Sequence, residues 1–273
     1  MGSPRLSQIS LRAYFCYTDP MTDINDYERY AAARQEELQK GSMKPHRFVE
    51  KPAMKSILPN LKDKHILLLG CGTGEESILL EEFGATNMIG VDLSEASIKL
   101  AQASYPQHTF KVGDMHTLDF EDETFDFVYS SLTIHYSATP EKVYQEIFRV
   151  LKPGGQVQFS VGHPMRWASE RIELNGVSTK LMGYTEGDEE VRLYGSYSAH
   201  KEYAETFPSG EVLSFWVGPP SMYFNLLKNA GFRVDEFIET KAVEETKEAD
   251  INYYQRFSNF PHFTIFSATK LAN

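Results

Sequence analysis

HILLLGCGTGEES, residues 65–77, runs from an aliphatic stretch into a glycine-rich turn. The apolar run ending at Gly70 fits a strand buried on both faces, and residues 75–83 carry helical spacing. Between them, Gly70-Cys71-Gly72-Thr73-Gly74 forms a strand-to-helix turn whose backbone can approach a flat or charged ligand with no Cβ in the way. A dinucleotide fingerprint, G-x-G-x-x-G, would need glycine at 70, 72 and 75. Position 75 is glutamate, and a carboxylate beside a pyrophosphate is repulsive. Asp92 follows the next strand at the spacing where an acidic side chain accepts hydrogen bonds from ribose hydroxyls. These features mark a nucleoside and leave its identity open.

Outward from this segment, strand and helix alternate. Gly84 suits a C-cap, residues 87–91 read as a strand, and Ser94 is placed to cap a helix carrying Ile98, Leu100 and Ala101. Residues 108–112 and 125–131 predict two more strands, 141–151 a helix, and 156–161 a fifth strand after a tight turn at Pro153-Gly154-Gly155. The series predicts an α/β fold with a doubly wound, mostly parallel sheet, whose ligands sit at the carboxyl ends of the strands. Upstream, residues 23–40 read as a polar helix, and Pro45 opens a second helix that Pro59 stops. Downstream, the rhythm breaks at 163–220, where aromatic residues mix with charge and glycine and where 203–207 and 211–215 suggest a hairpin. A helix at 221–230 closed by Gly231, a strand at 232–238 and a last run at 263–268 complete the pattern.

The 273 residues suit one large domain with an insertion. Their net charge of −11 disfavours general affinity for nucleic acid or anionic membrane. Cys16 and Cys71 are too few for a disulfide framework, which points to a reducing, cytoplasmic setting. The sequence has no signal-like apolar run, no stretch of transmembrane length, and no Ser or Thr at position 6 for myristoylation. Neither export nor a membrane anchor is expected.

Taken in order, LLLGCGTG (67–74), Asp92 in GVDLS, Gly113-Asp114-Met115, FDFVYSSLTIHY (125–136) and LKPGGQVQFSV (151–161) resemble the motifs of class I methyltransferases, in the branch called methyltransferase type 11. The resemblance covers roughly residues 60–161. It implies a Rossmann-like, seven-stranded sheet with a final antiparallel strand at 262–270 and S-adenosylmethionine as cofactor. It also implies roles for individual residues. Gly70, Cys71, Gly72 and Gly74 would lie along the methionine part, Asp92 would hold the ribose, and Leu93 would line the adenine. Asp114 would meet the adenine amino group, Met115 would border the ring, and Ser130 would belong to the cofactor site. Tyr30 and Arg34, one helical turn apart, resemble N-terminal residues that close over the cofactor, although an ordinary exposed helix face explains their spacing equally well. On this reading residues 1–60 form a helical segment closing over the cofactor, and 61–273 form the methyltransferase domain, with 163–220 as a substrate cap. Cys71 is read as a small loop residue, since no base lies near it in sequence.

The expected reaction is methyl transfer to O or N of a small-molecule acceptor by in-line displacement. Positioning and exclusion of water carry most of such a step, and a general base assists if the acceptor holds a proton. His135 after the fourth strand and His163 after the fifth both reach the ligand edge of the sheet and are the candidate bases, although either can equally shape a loop through backbone hydrogen bonds. The many aromatics of 163–220 suit an apolar or cationic substrate, or simply packing on the sheet. The sequence leaves three competing readings: a non-catalytic S-adenosylmethionine sensor or assembly subunit, an NAD-dependent oxidoreductase disfavoured by Glu75, and an RNA or protein acceptor disfavoured by the acidic balance. It predicts no metal site, and it leaves the oligomeric state and the acceptor open.

Overall fold

The computed structural model describes residues 24–40, 44–187, 190–206, 210 and 212–272. Cys16, the start of the N-terminal segment and the turn of the predicted 203–215 hairpin lie outside them. Helix α1 (Ile24–Gln39) is followed by a π-helical turn (His46–Glu50) that runs straight into α2 (Lys51–Ser56). Then come β1 (His65–Leu69), α3 (Glu76–Glu82), β2 (Asn87–Asp92), α4 (Glu95–Ser104), β3 (Thr109–Val112) and β4 (Phe125–Ser130). A 3-10 turn (Ile134–Tyr136) leads to α5 (Pro140–Val150) and β5 (Leu151–Gly162).

The seven-stranded sheet has the order β12-β13-β5-β4-β1-β2-β3, with β12 at Phe232–Glu239 and β13 at Phe263–Lys270. β13 runs antiparallel to both neighbours, and the remaining pairings are parallel. This is the Rossmann-like sheet with a final antiparallel strand that the motif order implied.

The aliphatic run of β1 is continuous because both faces of the sheet are covered. Leu67 and Leu69 pack with Tyr144 and Ile147 of α5 and with Leu227 of α7 (Pro220–Ala230). Ile66 and Leu68 point the other way, to Met54 of α2, Leu80 of α3 and Ile98 of α4. Alternate side chains of a strand leave by opposite faces, so a strand buried on both sides keeps no polar position. Ser94 caps α4 as its position suggested, accepting from Ser97 N at 3.0 Å.

At Pro153-Gly154-Gly155 the expected turn is instead part of β5. The pairing with β4 jumps from Phe125↔Leu151 to Phe127↔Gln156, a bulge in which Gly154 takes φ +81. Glycine suits that left-handed position, and the bulge absorbs the extra residues without ending the strand.

The insertion folds as α6 (Pro164–Trp167) and three antiparallel ribbons, each apart from the main sheet. These are β6 (Glu170–Leu174) with β7 (Val177–Leu181), β8 (Gly183–Glu186) with β9 (Val191–Tyr194), and β10 (Lys201–Thr206) with β11 (Val212–Val217). Only the last was legible in the sequence. Between β12 and β13, α8 (Thr246–Ala249) and α9 (Ile251–Asn259) bring Tyr253 and Phe257 onto Phe48, Val49, Leu132 and Trp167. This third apolar cluster joins the N-terminal segment, the insertion and the carboxyl ends of β4 and β5.

Candidate functional site

The reversal of strand order between β1 and β4 opens a crevice at the carboxyl ends of the strands, where open α/β sheets bind ligands. The glycine turn forms one wall. Gly70 N and Cys71 N donate to Val91 O at 2.7 and 3.0 Å, which fixes the turn to β2. A Cβ on Gly70 would fall 2.1 Å from the Thr133 side chain, whose hydroxyl donates to Gly70 O at 3.2 Å, so only glycine fits there. Gly72 differs. With φ +52 it is crowded by no close neighbour, and the atom nearest an added Cβ is Arg34 Nε, in ordinary contact at 3.7 Å. Cys71 is buried, and burial first, then Asp92, pushes its thiol well above its ordinary pKa, so it stays a neutral loop residue.

Asp92 closes the second wall. Its Oδ2 accepts from Gly72 N at 2.8 Å and its Oδ1 from Ser94 N at 3.0 Å. Burial raises its pKa, and the two N–H groups and Arg34 offset part of that rise. Among the described residues each oxygen accepts one N–H bond and keeps further acceptor capacity.

Helix α1 lies across both walls. Glu28 accepts from Glu95 N at 2.7 Å and Ala96 N at 2.9 Å, placing a carboxylate on the first N–H groups of α4, where the helix dipole favours negative charge. Two residues further on, Tyr30 is buried, and one turn beyond it Arg34 sits among Glu75, Tyr136, Tyr30 and Asp92. Burial opposes the guanidinium charge, but these neighbours outweigh it and raise its pKa. Arg34 Nε is enclosed without a hydrogen-bond partner among the described residues. The two α1 residues and the glycine turn therefore meet, which their sequence spacing alone could not decide.

The other expected contacts divide. Leu93 is 48% exposed at the mouth of the crevice. Ser130 is fully buried, and its hydroxyl has no described partner. Met115 packs against the larger core cluster. Asp114 Oδ1 is already engaged, by His116 N at 2.8 Å and the His116 ring at 2.6 Å, while the far nitrogen of that ring meets Ser137 Oγ at 2.7 Å. Its Oδ2 is the oxygen left for a ligand.

The two candidate histidines part company. His135, on the 3-10 turn, packs edge-on to Tyr136 and against Phe215, with Nδ1 buried and unpartnered among the described residues. Burial, then the nearby Arg34 charge, pushes its pKa down to about 3, so the ring is neutral across the physiological range. His163 has no such freedom. Its Nδ1 accepts from Met165 N at 3.1 Å, capping α6, so its Nε2 carries the proton and donates to Glu239 at 3.0 Å. Both nitrogens are engaged among the described residues, and through them the ring holds the loop after β5.

Sequence reasoning missed a buried polar network behind the glycine turn. His46 Nε2 meets Glu76 Oε1 at 2.9 Å, and Nδ1 lies 2.8 Å from Glu50 Oε2 as an ion pair without hydrogen-bond alignment. Glu50 Oε1 accepts from Ser131 Oγ and Ser160 Oγ at 2.9 and 2.7 Å, and Glu76 Oε2 accepts from Tyr129 OH at 3.1 Å. Burial works against charge on His46, but Glu50 and Glu76 raise its pKa to about 9. Glu76 is held near 2 because His46 and Lys51 overcome its own burial. The one local signal was the four-residue spacing of His46 and Glu50. Among the described residues no cluster of His, Cys, Asp and Glu has the makings of a metal site, and no described helix is long and apolar enough to cross a membrane.

Comparison with known proteins agrees with this geometry. Residues 67–159 match a family model described as a methyltransferase domain. The chain is 35% identical over 96 residues to a sterol 24-C-methyltransferase of Schizosaccharomyces pombe, covering 33% of this chain and 25% of that protein. It is 37% identical over 105 residues to a malonyl-[acyl-carrier protein] O-methyltransferase of Herminiimonas arsenicoxydans, covering 38% and 39%. The chain spans about half or less of the length of the curated relatives it matches. Among solved structures, an S-adenosylmethionine-dependent methyltransferase from Mesorhizobium loti superposes with a TM-score of 0.66 at 25% identity, over 81% of this chain and 97% of that one.

Proposed function

We propose that the chain, whose residues 67–159 match a methyltransferase-domain model and whose fold resembles S-adenosylmethionine-dependent methyltransferases, transfers a methyl group from S-adenosylmethionine to O or N of a small-molecule acceptor. The observation that carries the proposal is Arg34, a half-buried arginine whose enclosed Nε lies against Gly72 with no hydrogen-bond partner among the described residues. A cation held there against a desolvation cost suits the carboxylate at the methionine end of the cofactor. The remaining residues fit as well. Asp92 retains acceptor capacity for ribose hydroxyls, Leu93 offers an exposed apolar face to the adenine, and Asp114 Oδ2 is free to take an amino N–H.

When bound, S-adenosylmethionine supplies a sulfonium-activated methyl, and the chain's task is to orient the acceptor and keep water away. His135 supports that role. Its neutral ring offers an unpartnered nitrogen, near Arg34 on one side and packed on Phe215 of the insertion on the other. A neutral imidazole there would accept a hydrogen bond from an acceptor hydroxyl or amine and so orient its lone pair; with its pKa pushed down to about 3 it is a positioning group and too weak a base to keep the proton. Tyr136 stands within electrostatic reach of Arg34, Asp92 and Glu205, so one turn faces both the cofactor residues and the insertion. We infer that α1 closes over the cofactor and that the insertion covers the acceptor.

Isothermal titration with S-adenosylhomocysteine, followed by turnover with an acceptor panel, tests the proposal. Saturable binding and acceptor-dependent formation of S-adenosylhomocysteine are expected. Folded protein that binds neither S-adenosylmethionine nor S-adenosylhomocysteine would refute it.

A further inference from the structure

The insertion and α9 gather positive charge in a chain that is strongly negative overall. Arg166, at the end of α6, stacks on Trp167 with its guanidinium 4.4 Å from the ring centre, and its side chain is only 23% exposed. Lys180 of β7 reaches over and donates to Arg166 O at 2.7 Å. Arg256 of α9 lies over the rings of Tyr253 and Phe257. Arg171 of β6 stands within electrostatic reach of Arg166 and Lys180. Against these four cations stands Glu205 of β10, paired with Arg166 at 3.2 Å. Asp250, which also faces Tyr253, is paired with Lys44 at 2.8 Å.

A second observation points to a ligand at the same place. The hydroxyl of Tyr253, which is 6% exposed, and Nδ1 of His262, which is 3% exposed, are buried with no hydrogen-bond partner among the described residues, as is Trp167 Nε1. Arg166 and Arg256 both act on Tyr253 and His262, so these orphaned groups border the cations. Leaving a buried donor unpaired costs stability, and an arriving acceptor would relieve it. Burial and then Arg166 and Arg171 depress Lys180 to about 8, as expected where like charges crowd without enough counter-ions.

The cluster is joined to the proposed methyl-transfer centre by touching rings. His135 packs on Phe215 at 5.5 Å, Phe215 on Trp167 at 4.6 Å, and Trp167 carries Arg166. We propose that Arg166, Lys180 and Arg256, with the hydroxyl of Tyr253 and Nε1 of Trp167, form the subsite for an acidic group of the acceptor, so that the substrate class is small molecules bearing a carboxylate or phosphate. This rests on the methyl-transfer reading above. The aromatic floor would hold the apolar part of such a molecule while the cations fix its acid end, and Glu205 keeps Arg166 extended when no anion is present.

The test is calorimetric titration of malonate and, separately, inorganic phosphate into the full chain saturated with S-adenosylhomocysteine, repeated without it. Saturable binding of at least one anion is expected, weakened by added NaCl and at least tenfold weaker in Arg166→Gln and in Lys180→Gln, with affinity for S-adenosylhomocysteine unchanged. The two arms tell a carboxylate site from a phosphate site. Lys180→Gln, on an exposed ribbon, keeps the test valid where Arg166→Gln disturbs packing. Absence of saturable anion binding, or equal binding in Lys180→Gln and wild type, overturns the subsite. Absence of S-adenosylhomocysteine binding overturns the methyl-transfer reading, and the anion titration without it is read independently.

Discussion

Asp92 shows how much one side chain is asked to do. It ties Gly72 N to Ser94 N across the crevice, and its remaining acceptor capacity faces the proposed ribose position. Asp92→Asn keeps the volume but removes one acceptor and the charge. Affinity for S-adenosylhomocysteine is therefore expected to fall tenfold to a hundredfold, about 1–3 kcal/mol, with the circular dichroism spectrum unchanged. At this scale the sequence was legible where the determinant is local. Glycine at 70 and 72 follows from the backbone shape of a strand-to-helix turn, and an acid after β2 from the reach of its side chain. It was not legible where partners are distant. His135 and His163 look alike as histidines after adjacent strands. Glu239, 76 residues beyond His163, and the nearby Met165 N commit one ring, while Arg34 and burial keep the other neutral and open.

Between elements, the N-terminal segment is held to the sheet by charge inside the protein. His46 and Glu50 of the π-helical turn reach Glu76 of α3, Ser131 beyond β4 and Ser160 of β5, partners 30 to 110 residues apart in sequence. Beyond the four-residue spacing of His46 and Glu50, no local pattern announces such a network. Its pH dependence follows from the sign of each shift. His46 is raised from 6.5 to about 9, so its contribution is complete below pH 6.5 and is lost as pH climbs through 9. Glu76 is lowered from 4.5 to about 2, so its contribution is complete above pH 4.5 and is lost as pH falls through 2. The window of greatest stability is thus pH 4.5–6.5. Between pH 6.5 and 9 wild type should lose on the order of 3 kcal/mol through this network. In denaturant unfolding at a series of pH values, His46→Gln is expected to be less stable at pH 6 and to show a flatter decline above it. A parallel decline in wild type and variant would count against the network.

Across the molecule, two apolar layers clasp one sheet, and Phe159 of β5 stands where β4, β13 and α5 converge. It packs on Tyr144 and Phe266, each with ring centres 5.3 Å apart, and has no exposed surface. Phe159→Ala should cost about 3–5 kcal/mol, read from the denaturant midpoint. This layering was visible in the continuous aliphatic run of β1. The ribbons β6–β7 and β8–β9 were not, because exposed Val177, Tyr184, Val191 and Leu193 give them no one-sided pattern to read. The place of β13 has a further consequence, for synthesis. It slots between β5 and β12 and hydrogen-bonds to both, so while the ribosome is still making residues 240–262, β12 has been translated with no strand to lie against. The sheet can close only after residue 270 has left the exit tunnel. Until then the nascent chain carries two bare strand edges, the kind of surface that chaperones shelter.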